Sequence, residues 1–290
     1  MRNAYNDIGE ARVAIVTGAS SGFGMLTAVE LAKDGYVVVA AMRDPERRGA
    51  ALREAADRAF VAGRVIPTRL DVTDCVRIEE VVADTAARYG RIDVLVNNAG
   101  YAQGGFAEDV PLAQVRAQFE TNVFGAIAMM KAVAPHMRAR GSGNIVNMSS
   151  VSGRLGMPGF APYAASKFAL EGFSEALRLE LRPFGVFVVL VEPGSYRTNI
   201  WEKGFAAMAG DEHSPYADAL GRVRSMAESS ARNGGDPMDV ARLVVRIANA
   251  RAPRLRYVLP LGAVGMVALR SLLPWSWYEA AVFRLLSILR

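Results

Sequence analysis

The segment PYAASKFAL, residues 162–170, sets Tyr163 and Lys167 four positions apart. On a helix, positions i and i+4 share a face, so a phenol and an ammonium at that spacing point the same way. A positive charge about 4 Å from a phenol is worth roughly 4 kcal/mol at an effective dielectric of ~20. That is enough to draw a tyrosine from ~10 toward neutrality, where a general acid/base works best. Taken alone, the pair reads first as a solvated helix face, and the rest of the chain has to decide.

The elements that would position the pair follow from the pattern. Segments 12–18, 36–42, 63–72, 92–98, 143–150 and 185–194 are Val- and Ile-rich and lack polar alternation, as strands buried on both faces of a parallel sheet do. A seventh strand is expected at 256–260. Helical stretches lie near 22–34, 46–60, 75–90, 111–140, 162–182 and 237–250, with Asp74 and Asp236 as N-caps and Pro237 after the latter. This alternation predicts an α/β fold, one doubly wound parallel sheet of about seven strands. Residues 1–260 are expected to form one domain, with a loop at about 195–235. Residues 261–290 form an apolar, amphipathic extension of it.

The first strand runs into TGASSGFG, with Gly18, Gly22 and Gly24 at the strand-to-helix turn. Glycines there let backbone approach a pyrophosphate, and the helix N-terminus supplies amide donors. Tightness alone also explains glycines in such turns.

Further along the chain come NNAG at 97–100, Asn122, NMSS ending at Ser150, PYAASK and EPGSYRT, in that order. Ser150 precedes Tyr163 by 13 residues. Over roughly residues 11–260 the chain resembles the short-chain dehydrogenase/reductase family. The resemblance implies a catalytic set of Asn122, Ser150, Tyr163 and Lys167. Tyr163 would be the general acid/base, Ser150 would orient the substrate oxygen, and Lys167 would also bind the nicotinamide ribose. Asn122 would hold a water linking Lys167 to solvent. It further implies cofactor contacts from Gly18, Ser20, Ser21, Gly22, Phe23 and Gly24. Asp71 and Val72 would contact adenine, Asn98, Ala99 and Gly100 would lie along the adenosine ribose, and Pro193, Gly194 and Thr198 would grip the carboxamide. The hydride chemistry belongs to the cofactor.

In VVVAAMRDPERR, Ala41 stands where NAD-preferring relatives place an acid, and Arg43 follows, with Arg47 and Arg48 nearby. A guanidinium there suits a 2′-phosphate, so NADP(H) is favoured and NAD(H) is the alternative. Asp44 complicates this reading unless it faces solvent.

Composition excludes other chemistries. The single cysteine, Cys75, allows no internal disulfide and fits a reducing compartment, so a cytoplasmic location is expected. The first residues carry no apolar signal segment. His136 and His213 are the only histidines, no Cys/His spacing suits a metal, and no G-x-S-x-G elbow is present. The net charge of +5 sits in residues 251–290, where Arg251, Arg254, Arg256, Arg270, Arg284 and Arg290 face Glu279 alone. That segment is mostly apolar and has no groove-reading motif, so no nucleic-acid partner is expected.

Tyr101, Phe106, Leu155, Met157, Phe160, Ile200, Trp201, Phe205 and Met208 are candidate pocket residues, and their apolar character points to a lipophilic carbonyl or alcohol substrate. NNAGYAQGGF and the long tail resemble the hydroxysteroid and retinol dehydrogenase branch. A ketoreductase of acyl thioesters and a non-catalytic dinucleotide-binding regulator are the alternatives. The family's usual homodimer or homotetramer would use the helices at 111–140 and 162–182. In the tail, Trp275, Tyr278, Val282, Leu285, Leu286 and Leu289 recur at helical spacing. No charge-free stretch there is long enough to span a membrane. Packing over the substrate cleft is the first expectation for this stripe, a subunit contact the second and a peripheral membrane contact the third.

Overall fold

The computed structural model describes residues 11–198 and 214–286. In chain order the elements are β1 (Val13–Thr17), α1 (Gly22–Lys33), β2 (Val37–Met42), α2 (Pro45–Arg48), α3 (Ala50–Arg58), β3 (Val65–Arg69), α4 (Cys75–Tyr89), β4 (Val94–Asn97) and α5 (Leu112–Phe119). A π turn (Glu120–Phe124) leads into α6 (Gly125–Arg140), β5 (Gly143–Met148), α7 (Ala161–Leu181) and β6 (Val186–Pro193). Then come α8 (Ala217–Asn233), α9 (Pro237–Ala248), β7 (Arg256–Leu259), α10 (Leu261–Leu272) and α11 (Trp275–Leu286).

The seven strands form one parallel sheet in the order β3-β2-β1-β4-β5-β6-β7. Side-chain alternation splits its core in two. Ala14, Val16, Val38 and Ala40 join the helices of one face, chiefly α1 and α9. Ile15, Val39, Ala41 and Leu95 join α4 and α6 on the other. Both faces are therefore covered, which is why the strands read as continuous apolar runs. Pro67 lies within β3, where a proline is tolerated because β3 is an edge strand.

The expected caps are present. Asp74 accepts from the amide of Arg77 at 3.0 Å, and Asp236 accepts from that of Met238 at 3.0 Å. Two expected helices are not continuous. The one near 46–60 divides at Gly49, where a Cβ would collide with the carbonyl of Pro45. The one at 111–140 is interrupted by the π turn, a bulge that re-aims side chains and recurs at functional sites.

The tail forms two helices. The Tyr278 hydroxyl donates to the carbonyl of Gly156 at 2.7 Å, which ties α11 to the segment between Ser150 and Tyr163. Of the expected stripe, Tyr278 and Val282 are half-buried, Trp275 is exposed, and Leu289 lies outside the described residues. Among the described residues no helix is long and apolar enough to cross a membrane.

Candidate active site

The sheet order reverses between β1 and β4, and a crevice opens there at the carboxyl ends of the strands. Side-chain stitching fixes its floor. Thr17, the last residue of β1, accepts from the amides of Asn98 and Ala99, both at 3.0 Å. The Asn98 carboxamide donates back to the carbonyls of Thr17 (2.9 Å) and Gly18 (3.2 Å). Gly18 and Gly22 both take left-handed backbone, at φ +67° and +55°. A Cβ on Gly18 would stand 2.9 Å from the Cα of Ala99, so only glycine lets the turn close. Ser21 caps α1 without a side-chain bond, which leaves the amides of the first turn to the crevice.

The crevice encloses about 950 Å³. Gly18, Ser20, Ser21, Gly22, Phe23, Arg43, Asp71, Val72, Asn98, Ala99, Gly100, Ser150, Tyr163, Lys167, Pro193, Gly194 and Thr198 all line it. Two expected site residues do not. Gly24 lies under the turn, where a Cβ would meet the carbonyl of Gly18 at 2.5 Å, so it closes α1 onto the strand rather than facing a ligand. Asn122 is buried behind the wall. Its Oδ1 accepts from the amide of Tyr101 (3.1 Å), and its Nδ2 donates to the carbonyl of Tyr101 (2.9 Å) and to Ser166 Oγ (3.1 Å). The π turn thus places Asn122 to hold the strand end beside Gly100.

Helix α7 is anchored by buried polar contacts. Asn97 donates to Asn147 at 2.9 Å, and Asn147 donates to Ser174 at 2.8 Å. The Lys167 ammonium donates to the carbonyl of Met148 at 2.7 Å and lies 5.7 Å from the Tyr163 ring centroid. Tyr163 and Lys167 are therefore on one face of the helix, beside Ser150. The expected lowering of the phenol is not what the chain alone produces. Burial pushes the Tyr163 phenol above its ordinary value, opposed by a hydrogen bond to Ser150. Burial also pushes Lys167 down to about 8, opposed by the charge of Glu171. Desolvation, which penalises phenolate and ammonium alike, is the largest cause in both.

Asp44, the residue that complicated the cofactor reading, is spent as a cap: it accepts from the amide of Arg47 at 3.1 Å at the start of α2. Arg43 and Arg48 reach the crevice instead. Residues given no role in the sequence analysis also line it, among them Thr121 and Tyr196, the latter edge-on to Phe23 at 5.6 Å. Thr17 could have been found from its place as the last strand residue before the glycines.

On the expected substrate side, Tyr101 lines the crevice and Leu155 is buried, whereas Met157 and Phe160 are half-buried. Phe106 stacks on Tyr216 at 4.6 Å, and Ser214 donates to Asp109 at 2.8 Å, latching the entry to α8 onto the segment after Tyr101. Ile200, Trp201, Phe205 and Met208 lie outside the described residues.

The fold, the glycine turn and the free first-turn amides fit a nicotinamide dinucleotide. A model of the short chain dehydrogenase family matches residues 12–209. The chain is 45% identical over 273 residues to an uncharacterized oxidoreductase, YusZ, of Bacillus subtilis, covering 93% of this chain and 96% of that protein. It is 36% identical to a 3-ketodihydrosphingosine reductase of Bacteroides thetaiotaomicron, over 94% and 97% of the two chains. It is 37% identical to retinol dehydrogenase 8 of Bos taurus, over 91% and 86%. Among solved structures, one from Burkholderia phymatum in complex with NAD is similar at a TM-score of 0.78 and 28% identity, over 91% and 94% of the chains. A metagenomic short-chain oxidoreductase in complex with NADP is similar at 0.67 and 29%, over 86% and 96%.

Proposed function

The chain belongs to the short-chain dehydrogenase family, and on that premise we propose that it is an NADP(H)-dependent oxidoreductase interconverting a carbonyl and an alcohol on a lipophilic small molecule. The observation that carries the reading is the convergence of Ser150, Tyr163 and Lys167 on one wall of the glycine-floored crevice. When bound, the cofactor gives or takes the hydride and, oxidised, adds a fixed positive charge. Tyr163 passes the proton to or from the substrate oxygen, which Ser150 orients. Lys167 holds the ribose and favours the phenolate, and Asn122 keeps Gly100 and Tyr101 in place beneath them.

NADP(H) is supported by Arg43 and Arg48 on the crevice rim and by the use of Asp44 as a cap. A lipophilic substrate is supported by the apolar residues around Tyr101 and Leu155, and by relatives named for retinol and a sphingoid ketone. Residues 261–290 act as an extension over the substrate side, through the Tyr278 contact. Exposed Leu112, Phe124 and Phe168 on the α5–α7 face suit a homodimer or homotetramer. A screen of steroids, retinoids, long-chain ketones and acyl thioesters, following absorbance of the reduced cofactor, tests the reading. Turnover of acyl thioesters alone would favour the ketoreductase alternative. Tight cofactor binding without turnover of any of them would favour a non-catalytic regulator.

A further inference from the structure

Behind the wall that carries Lys167 lies a cluster of charge that the proposed reaction leaves unused. Glu171 stands one turn along α7 from Lys167, and Glu192 precedes Pro193 at the end of β6. Both are buried, Glu192 with 0% of its surface exposed. Arg256, which opens β7, bridges them, its Nε 3.0 Å from Glu171 Oε2 and 3.1 Å from Glu192 Oε1. Arg154, from the segment after Ser150, stands 3.6 Å from Glu192, and Arg256 also pairs with Glu175. Gly153 closes this corner: a Cβ there would lie 2.9 Å from Glu171 Cγ and 3.3 Å from the carbonyl of Lys167.

Two desolvated carboxylates sharing one guanidinium are costly to ionise together, because each also repels the other. Glu171 takes an aligned hydrogen bond from Arg256, whereas neither oxygen of Glu192 has one among the described residues. Of the two, Glu171 therefore ionises first and Glu192 holds its proton to higher pH. Burial, then repulsion by Glu171, pushes Glu192 up to about 7. Burial pushes Glu171 up as well, opposed by the Ser149 hydroxyl and by Arg256 and Arg154. The charged groups around the pair are Lys167 and Glu175 on α7, Arg154 after β5 and Arg256 on β7, with the Tyr163 phenol on the crevice side of Lys167.

We infer that Glu171, kept ionised by Arg256 ahead of the neighbouring Glu192, is a positioning residue for Lys167, whose ammonium its buried negative charge holds protonated where Tyr163 must titrate. The consequence for catalysis rests on the proposed function, but the electrostatic link itself is measurable on the chain without substrate or cofactor. Failure of the link leaves the oxidoreductase reading standing.

The chain has four lysines, Lys33, Lys131, Lys167 and Lys203, so an NMR titration with isotope-labelled lysine follows Lys167 directly. Its signal is the one that disappears in Lys167→Met. Glu171→Gln should lower the Lys167 midpoint by roughly half a pH unit or more, because a buried anion one turn away is gone. Glu171→Asp keeps the charge and should restore most of it. Glu192→Gln removes a charge that does not act on Lys167 as Glu171 does, and should lower the midpoint less than Glu171→Gln. An unchanged midpoint in a folded Glu171→Gln overturns the inference, and so does an equal fall in Glu192→Gln, which marks a general packing defect. A wild-type measurement stands beside the variants in case Glu171→Gln does not fold. With labelled glutamate, the Glu192 carboxyl, assigned through Glu192→Gln, should take its proton near neutrality. Titration of Glu192 in the ordinary carboxylate range overturns the inference as well.

Discussion

Lys167 donates to the main-chain carbonyl of Met148 at 2.7 Å, so the ammonium of α7 is tethered to the last residue of β5. One bond fixes the helix that carries Tyr163 against the strand that leads into Ser150. The three side chains are thereby set by the sheet rather than by a loop, which suits groups that must hold their geometry. The same burial that fixes them disfavours both charged forms.

Removing the Tyr163 phenol should separate chemistry from binding. Tyr163→Phe keeps a ring that is buried in the wall and deletes only the hydroxyl. Loss of a general acid/base should lower kcat by ~10²–10⁴ while cofactor affinity stays near wild type. Lys167→Met should lose both, since its ammonium lines the crevice. Steady-state rates and a fluorescence titration of the reduced cofactor distinguish the two. A Tyr163→Phe enzyme close to wild-type rate would sink the assignment.

Arg43→Ala should weaken NADP(H) far more than NAD(H). A hydrogen bond to a charged group is worth about 1.5–3 kcal/mol, so the NADP(H) Kd should rise roughly 10- to 100-fold. Asp44 caps α2 and should not rescue NAD(H) binding. Calorimetric titration of both cofactors into wild type and variant gives the answer, and a tenfold preference of the wild type for NAD(H) would refute the reading.

Much of this site was legible because its motifs sit at strand ends, where periodicity is strong. Each buried strand reads as a Val- and Ile-rich run, and the glycines, Ser150 and Tyr163 follow such runs at fixed offsets. What the sequence did not reveal depends on contacts between distant segments. Asn122 is expected to hold a water, and what its position in the sequence does not show is that the π turn commits its carboxamide to Tyr101 and Ser166. Gly24 looked like a cofactor contact, but it lies against Asn98 and Gly18. The Glu171–Arg256–Glu192 cluster joins residues from three elements, so no local pattern could announce it. The phenol's direction of shift was missed for a related reason: spacing shows the ammonium but not the burial that opposes it.

Truncation after Pro260 should leave a folded chain that binds cofactor less tightly and handles large apolar substrates poorly. The seven-strand sheet ends at Leu259 and does not include the tail. Ala263 of α10, however, is buried, and its Cβ would stand 3.5 Å from a Cβ on Gly194 at the crevice wall. Tyr278 holds the carbonyl of Gly156, between Ser150 and Tyr163. A comparison of kcat/KM for short and long aliphatic ketones before and after truncation tests this. Equal losses for both chain lengths would show that the tail acts only through Gly194.

The buried carboxyl of Glu192 should leave a signature in stability against pH. Its folded-state value of about 7 lies above the ordinary 4.5, chiefly because of burial. The folded chain therefore binds this proton more tightly than the unfolded chain between those values. The stabilisation is complete below pH ~4.5 and is lost as pH rises through about 7. Glu192→Gln stays neutral throughout, so it should lack this dependence. Wild type minus variant stability should thus fall by at most about 3 kcal/mol between pH 5 and pH 8. Other carboxylates titrate in both proteins and cancel in the difference, except Glu171, which shares Arg256 with Glu192 and titrates as part of the same pair. Lys167, lowered to about 8, destabilises the folded chain fully below that pH and less above it, in both proteins alike. Urea unfolding of both proteins at pH 5, 6, 7 and 8 measures the difference directly. A constant difference across that range would mean that Glu192 is ionised at every one of these pH values, and that Arg256 and Arg154 stabilise its charge fully.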